Sequence, residues 1–256
     1  MKVIAILPAR MGASRFPGKP LHPILGIPMI GHCFYRTQKA LGLDAVYVAT
    51  CDEVISDYIA SIGGESIMTS SEHTRCTDRT AEAMLRIEAE LSQTIDVVVM
   101  VQGDEPLILP ETISDTLQHF SDPDVQIVNV MSRLLTRELF EDKNNVKVVQ
   151  DVNGDALYFS REPIPSAWKG EANLPMFMQV GVIAFRREAL LKFNAMPETP
   201  LEKIESVDMN RVIENGGKIR MVLTNSRTIG VDTLEEANEV ALILANDATL
   251  KYYLQL

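Results

Sequence analysis

The chain has 256 residues, 46% of them hydrophobic, with 24 lysines and arginines against 35 acidic residues and a formal net charge of −11. That length allows one large α/β domain, or one domain carrying a lobe. So acidic a balance excludes nucleic-acid binding through a broad basic face. No apolar run reaches the ~20 residues of a membrane span, and the N-terminus lacks the parts of a signal peptide, so a cytoplasmic protein without nucleic-acid or membrane partners is expected.

In chain order, residues 2–8 (KVIAILP) read as a buried strand. IPMIGHCFYRTQKALGL has apolar residues at helical spacing and ends near Gly42. A strand (DAVYVAT), a helix opened by Asp52 and closed by Gly63, a short strand (GESIMT), a helix (DRTAEAMLRIEAEL), and a strand ending in an acidic turn (IDVVVMVQGDEP) follow. PETISDTLQHF is a helix with Pro110 at its start, where a missing N–H costs little, and VQIVNVM is another strand. Strand and helix thus alternate through about residue 131, predicting a mostly parallel sheet with helices on both faces.

After that the rhythm changes. NNVKVVQDVNGDALYFSR predicts a hairpin turning at Val152–Asp155. MQVGVIAFRR is a strand, EALLKFNAM a helix, and LEKIESVDMNRVIENGG a helix or helix pair. KIRMVLT and TIGVDT read as strands, and LEEANEVALILANDATLKYYL as one long closing helix. The expected organisation is a single domain over 1–256, with a core of about 1–131 and 218–256 and an inserted β lobe over about 132–217.

Ligands of such sheets gather beyond the carboxyl ends of the strands. Charged turns stand at three predicted strand ends: 9–19, 50–52 and 102–105. The first, within ILPARMGASRFPGKPL, joins Arg10, Arg15 and Lys19 to Gly12 and Gly18 with no acidic residue. Forked guanidinium groups, a compact ammonium and free backbone N–H groups suit a triphosphate. The stretch matches neither the Walker A loop nor the dinucleotide fingerprint. Asp104 in VQGDEP and Asp232 in GVDT are two carboxylates at separate strand ends, a pattern that Mg²⁺ uses together with phosphates and water; Asp232 is equally placed to cap the helix that follows. Cys33, Cys51 and Cys76 share no metal spacing and read as free thiols, Cys33 and Cys51 in the core, and the four histidines form no ligand pair.

ILPARMGASRFPGKPL, MVQGDEP, ALYFSREPIP and GVDT, in this order and with NNVKVV, resemble the CMP-Kdo synthetases, the 3-deoxy-manno-octulosonate cytidylyltransferases, over essentially the whole chain. The resemblance implies a nucleotide-diphospho-sugar transferase fold, Mg²⁺ dependence, a homodimer and a place in lipopolysaccharide biosynthesis. The implied reaction joins CTP to a 2-keto-3-deoxy-octulosonate sugar and releases pyrophosphate. It implies that Ala9, Arg10, Ser14, Arg15, Lys19, Arg79 and Gln102 meet the nucleotide, that Asp104 and Asp232 hold the metal, and that Gln102 and Arg161 reach the sugar. Asp104, Lys19 and Arg10 are then the catalytic set. Rival readings are a CMP-sialic acid synthetase-like enzyme and a CTP-binding regulator without catalysis. ALYFSR and NNVKVV weigh against the first, and intact Lys19, Asp104 and Asp232 against the second.

The chain also departs from that family's pattern. QVGVIAFR puts Gln179 where a histidine is usual and Ile183 where a tyrosine is. VDMN puts Asp208 and Met209 where a Glu-Gln pair is usual, and HTRCTDR brings in Arg75, Cys76 and Asp78. Read together as changes on the sugar side, with the nucleotide side intact, they are either drift or the mark of a different sugar. The second reading is an 8-amino-3,8-dideoxy sugar, its ammonium received by Asp208, with Glu205 as the second candidate.

Overall fold

In the computed structural model, which describes residues 1–12, 15–168, 170 and 174–253, the first apolar run forms β1 (Val3–Ala9), buried along its whole length. Two short strands, β2 (Pro23–Ile24) and β3 (Ile27–Pro28), make a hairpin absent from the sequence reading. Its two-residue turn places Leu25 (φ 50°) and Gly26 (φ 85°) in the left-handed region, the pairing that matches strand twist. Helix α1 (Met29–Gln38) therefore starts two residues later than predicted. Then come β4 (Ala45–Thr50), α2 (Glu53–Ser61), β5 (Glu65–Met68), α3 (Cys76–Leu91), β6 (Val97–Val101) and α4 (Pro110–Gln118). The strands lie in the order β6-β1-β4-β5, every pair parallel, and α1, α2 and α3 pack against them. Ala9 is level with Thr50, and Thr50 with Met68, so the loops leaving β1, β4 and β5 start along one edge.

The chain divides into two compact units, residues 1–114 with 228–256, and residues 115–227. The second unit takes in more than the lobe expected over about 132–217. It holds β7 (Ile127–Arg133), α5 (Arg137–Glu141), β8 (Lys147–Gln150), β9 (Ala156–Ser160), β10 (Phe177–Arg186), α6 (Arg187–Ala195), α7 (Pro200–Glu205), α8 (Asn210–Glu214) and β11 (Arg220–Leu223). β10 runs antiparallel to β7, with an irregularity between Gln179 and Ile183, and β11 runs parallel to β7. β8 and β9 are the predicted hairpin. The Asp151 carboxylate accepts the N–H groups of Asn153 (2.8 Å) and Asp155 (2.9 Å), and Gly154 takes φ 83°.

Back in the first unit, TIGVDT forms no strand: the N–H of Val231 donates to the carbonyl of Asp104 at 2.9 Å, outside any ladder. The predicted single closing helix is two, α9 (Leu234–Leu244) and α10 (Leu250–Tyr253). The break follows from Asp247, whose carboxylate accepts the Thr249 N–H (2.7 Å) and the buried Arg36 guanidinium (2.7 Å), a local alternative to helix continuation. Tyr253 packs with Ile24, Met29, Val240 and Leu244. No helix among the described residues is long and apolar enough to cross a membrane.

The buried His32 ties these pieces together. Its Nε2–H donates to the Ile24 carbonyl (2.8 Å), and its Nδ1 accepts from the Tyr253 hydroxyl (2.9 Å). Burial first, and the Arg36 charge with it, hold its pKa below the ordinary 6.5. The folded state thus binds its proton less readily than the unfolded state, so the stabilisation is complete above about pH 6.5 and is lost as pH falls below it. Stability should drop by up to about 1.4 kcal/mol per pH unit from this group. Urea unfolding of wild type and His32→Gln at pH 7.5 and 5.5 checks this: the wild type should lose more between the two.

Candidate active site

The basic turn leaves β1 and closes on itself through Gly18, whose N–H donates to the Met11 carbonyl (3.1 Å) at φ 74°. Asp52 does not cap α2 with its side chain. Its carboxylate accepts the Met11 N–H at 2.8 Å instead, so the turn at 50–52 braces the basic turn. At the end of β6, a Cβ on Gly103 would lie 2.9 Å from Ile30 Cδ1 and 3.2 Å from the Pro8 carbonyl oxygen. A larger residue would have to push both aside, so glycine suits the close passage of the 102–105 turn beside β1.

These loops enclose a cavity of about 320 Å³ lined by Ala9, Arg10, Arg15, Lys19, Arg79, Gln102, Asp104 and Asp232. Every residue expected at the nucleotide and metal is thus brought to one place, except Ser14, which lies outside the described residues. Lys19, at the start of a single 3₁₀ turn, donates to Asp104 Oδ2 (2.7 Å), Asp232 Oδ1 (3.0 Å) and the Val231 carbonyl (3.0 Å). Burial alone would depress its pKa; the two carboxylates outweigh that and hold the ammonium above the ordinary lysine range. Arg15, half-exposed, takes the other Asp232 oxygen at 2.6 Å. The capping alternative for Asp232 falls to its neighbour. Thr233 and Glu236 form a capping box on α9, with Glu236 Oε2 accepting the N–H of Asp232 at 2.7 Å, which leaves the Asp232 carboxylate for the cavity.

Arg79, 3% exposed, is anchored by Nη1 to the Thr69 hydroxyl, and its Nη2 is buried without a partner. A buried guanidinium nitrogen at a cavity wall is a donor awaiting an acceptor. The loop after β5 completes the wall with His73, Thr74, Arg75 and Cys76. Arg10 Nη1 donates to the His73 carbonyl (3.3 Å), and His73 Nε2 meets Glu82 at 2.5 Å. This loop is not among the three charged turns counted in the sequence, although its HTRCTDR stretch stands out there for departing from the family's pattern. Arg75 and Cys76, read from the sequence as changes on the sugar side, line the same cavity as Lys19 and Asp104. Cys33 is buried, which pushes its thiol up, whereas Cys51 is half-buried.

Among the described residues no group of three or more His, Cys, Asp or Glu could hold a metal ion. Two carboxylates gathered on one lysine nevertheless suit Mg²⁺, which takes one or two carboxylates and completes its shell with phosphate oxygens and water.

In the second unit, Arg161 follows β9. Its backbone N–H donates to Glu205 Oε2 (2.7 Å), its Nε to the Glu205 carbonyl (2.7 Å), and its Nη1 to the Lys143 carbonyl (2.8 Å). Glu205 Oε1 accepts from the Tyr158 (2.9 Å) and Ser160 (2.8 Å) hydroxyls. Burial would raise the Glu205 carboxyl; these donors outweigh it and keep it below the usual range, while burial and the carboxylate push Tyr158 up to about 12. Glu205, weighed as an acceptor for an ammonium, is committed to the protein. Gln179 donates to Asn129 Oδ1 (2.7 Å), and Asn129 Nδ2 bonds the Val180 and Val182 carbonyls at the irregularity of β10. Ile183 pairs with Asn129 in register and is 2% exposed. Asp208 is half-buried in the turn between α7 and α8.

Residues 4–219 match the cytidylyltransferase family model. The chain is 42% identical over 245 residues to the 3-deoxy-manno-octulosonate cytidylyltransferase of Syntrophotalea carbinolica, covering 92% of this chain and 96% of that one. It is 43% identical over 251 residues to the enzyme of that name from Geobacter metallireducens, with 94% and 96% covered. Among solved structures, a CMP:2-keto-3-deoxy-manno-octonic acid synthetase complexed with CTP superposes with a TM-score of 0.87 at 34% identity, covering 96% of this chain and 99% of that one. With this identity along nearly its whole length, the chain belongs to the cytidylyltransferases, in the CMP-Kdo synthetase family.

Proposed function

We propose that this chain transfers the cytidylyl group of CTP to a 3-deoxy-octulosonate sugar, supplying an activated sugar for lipopolysaccharide assembly. The observation that carries the reading is the cavity of the first unit, where Arg10, Arg15, Lys19, Arg75 and Arg79 surround two carboxylates. The anomeric hydroxyl of the sugar attacks the α-phosphate in line and pyrophosphate leaves. Such chemistry asks the protein for positioning and charge stabilisation more than for a covalent partner. Asp104 and Asp232 would hold Mg²⁺, which neutralises charge on the phosphates and the leaving group when bound. Arg10, Arg15 and Lys19 bind phosphate oxygens, and the unpartnered Nη2 of Arg79 takes an acceptor on the nucleotide. A homodimer goes with the reading; light scattering checks it.

We assign sugar recognition to residues of the second unit and take the 8-amino-3,8-dideoxy sugar as the preferred substrate. This rests on the changes at Gln179, Ile183 and Asp208. Of the two carboxylates weighed, Glu205 binds Tyr158, Ser160 and Arg161, and the ammonium is assigned to Asp208 on its departure from the family's pattern. Pyrophosphate release with CTP and Mg²⁺ tests it, with the 8-hydroxy and 8-amino sugars side by side. The expected result is a kcat/KM at least about tenfold higher for the amino sugar, the scale of one charge-assisted hydrogen bond. Equal or better turnover of the hydroxy sugar removes the amino reading and leaves cytidylyl transfer standing. No release with either removes both.

A further inference from the structure

The four charged side chains at the heart of the cavity are spent on each other. Lys19 has three N–H donors, and all three are used: Asp104 Oδ2 at 2.7 Å, Asp232 Oδ1 at 3.0 Å and the Val231 carbonyl at 3.0 Å. Arg15 holds the second oxygen of Asp232 at 2.6 Å. Two cations face two carboxylates, so the quartet is neutral. The ammonium stands between the two carboxylates that the proposed reaction assigns to the metal.

We propose that Lys19 is an internal counter-ion that keeps the metal position closed until the nucleotide arrives. This rests on the metal-assisted reading above. A bare divalent ion must displace the ammonium from both carboxylates and leave it among Arg10, Arg15, Arg75 and Arg79, all lining the same cavity. Like charges crowded at low solvent exposure are costly, and the Lys19 side chain is 14% exposed. Phosphates remove that penalty. With phosphates present, Lys19 and Arg15 would turn to phosphate oxygens, leaving Asp104 and Asp232 to hold the metal. Each charge thus has a partner before and after the exchange. Metal and CTP therefore enter as one complex, and Lys19 is a positioning residue for the metal as well as a phosphate ligand.

The pinned backbone favours an exchange of side chains over a rearrangement of loops. The Val231 N–H is bonded to the Asp104 carbonyl (2.9 Å), and the capping box of α9 fixes Asp232. The two carboxylates stay in place while the long, flexible lysine side chain moves.

The test is direct Mn²⁺ titration of the nucleotide-free protein, followed by electron paramagnetic resonance. Lys19→Met removes the counter-ion and leaves two uncompensated carboxylates. It should bind Mn²⁺ at least about tenfold tighter than wild type, the scale of a close charge pair that is mostly buried. Equal or weaker binding overturns the proposal. Arg15→Ala, at a half-exposed side chain, provides a second arm should Lys19→Met not fold. Freeing one oxygen of Asp232 should raise Mn²⁺ affinity severalfold, and unchanged affinity counts against the proposal. Adding Asp104→Asn to Lys19→Met should abolish the gain. A gain that survives it would place the ion elsewhere and overturn the metal reading itself.

Discussion

Asp104→Asn is expected to lower kcat by about 10³-fold with a much smaller change in the KM for CTP. The side chain keeps its size, so the close passage of Gly103 past β1 is untouched. What changes is charge. Asparagine is a poor ligand for a hard cation, and it no longer balances Lys19, held at 2.7 Å by the carboxylate. Removing one electrostatic group that acts on charge developing in the transition state costs about 10²–10³ in rate, and weakened metal binding adds to it. Arg10, Arg15 and Arg79 are unaltered and keep most of the ground-state affinity for the triphosphate. Steady-state pyrophosphate release at saturating CTP and sugar measures kcat, and a thermal melt controls for folding. A kcat within tenfold of wild type would take Asp104 out of the catalytic set. A large rise in KM at unchanged kcat would make it a residue of uniform binding.

The parallel strands β1, β4, β5 and β6 are legible in the sequence because each is an apolar run cut off by a charged or glycine-containing turn; the two-residue strands β2 and β3 are too short to show such a run. The closing helix is not legible in this way. The apolar spacing of α9 continues past residue 245, and the break depends on Asp247 meeting Arg36, 211 positions away. TIGVDT misleads in the opposite direction: its β-branched residues fit a strand, yet Val231 makes its bond outside any ladder. In the site, the basic turn announces itself by charge density against an acidic chain. The loop after β5 carries no dense charge of one sign, and HTRCTDR is noticed only through the family resemblance. Its place at the cavity follows from register, because Thr50 is level with both Ala9 and Met68. The sharing of Asp104 and Asp232 by Lys19 spans separations of 85 and 213 residues, beyond what local pattern carries. The Glu205 network was hidden for a similar reason: partners at 158, 160 and 161 come from the far side of the intervening β10 and α6.

The largest stability effect is expected from the buried pair that joins α7 to α8 in the second unit. Glu202 is 0% exposed and Arg211 6%. Nε meets Oε2 at 2.8 Å and Nη2 meets Oε1 at 2.5 Å, a two-pronged arrangement that arginine makes and lysine does not. Nη1 of Arg211 also donates to the carbonyls of Phe193 and Met196, both at 3.2 Å, at the end of α6, and the guanidinium lies 4.4 Å from the Phe193 ring centre. Helices of six and five residues cannot stand alone, so this pair, together with the Glu202 carboxylate accepting the Thr199 N–H at 3.2 Å, holds the corner in place. Glu202→Gln leaves a buried guanidinium without its counter-charge and should destabilise by about 3–5 kcal/mol, read as a lower urea midpoint at unchanged slope. Arg211→Met should cost a similar amount by orphaning Glu202. The double variant Glu202→Met with Arg211→Met should recover much of the loss, because no buried charge is left unpaired. It should not recover all of it, because the carbonyls of Phe193 and Met196 still lose their donor. If the double variant is as unstable as the sum of the singles, the pair acts through shape and not charge. The same corner carries Glu205 and the turn with Asp208. If the proposed division of the site holds, a destabilised corner should weaken sugar turnover before CTP binding, since the described residues lining the cavity proposed for CTP all belong to the first unit.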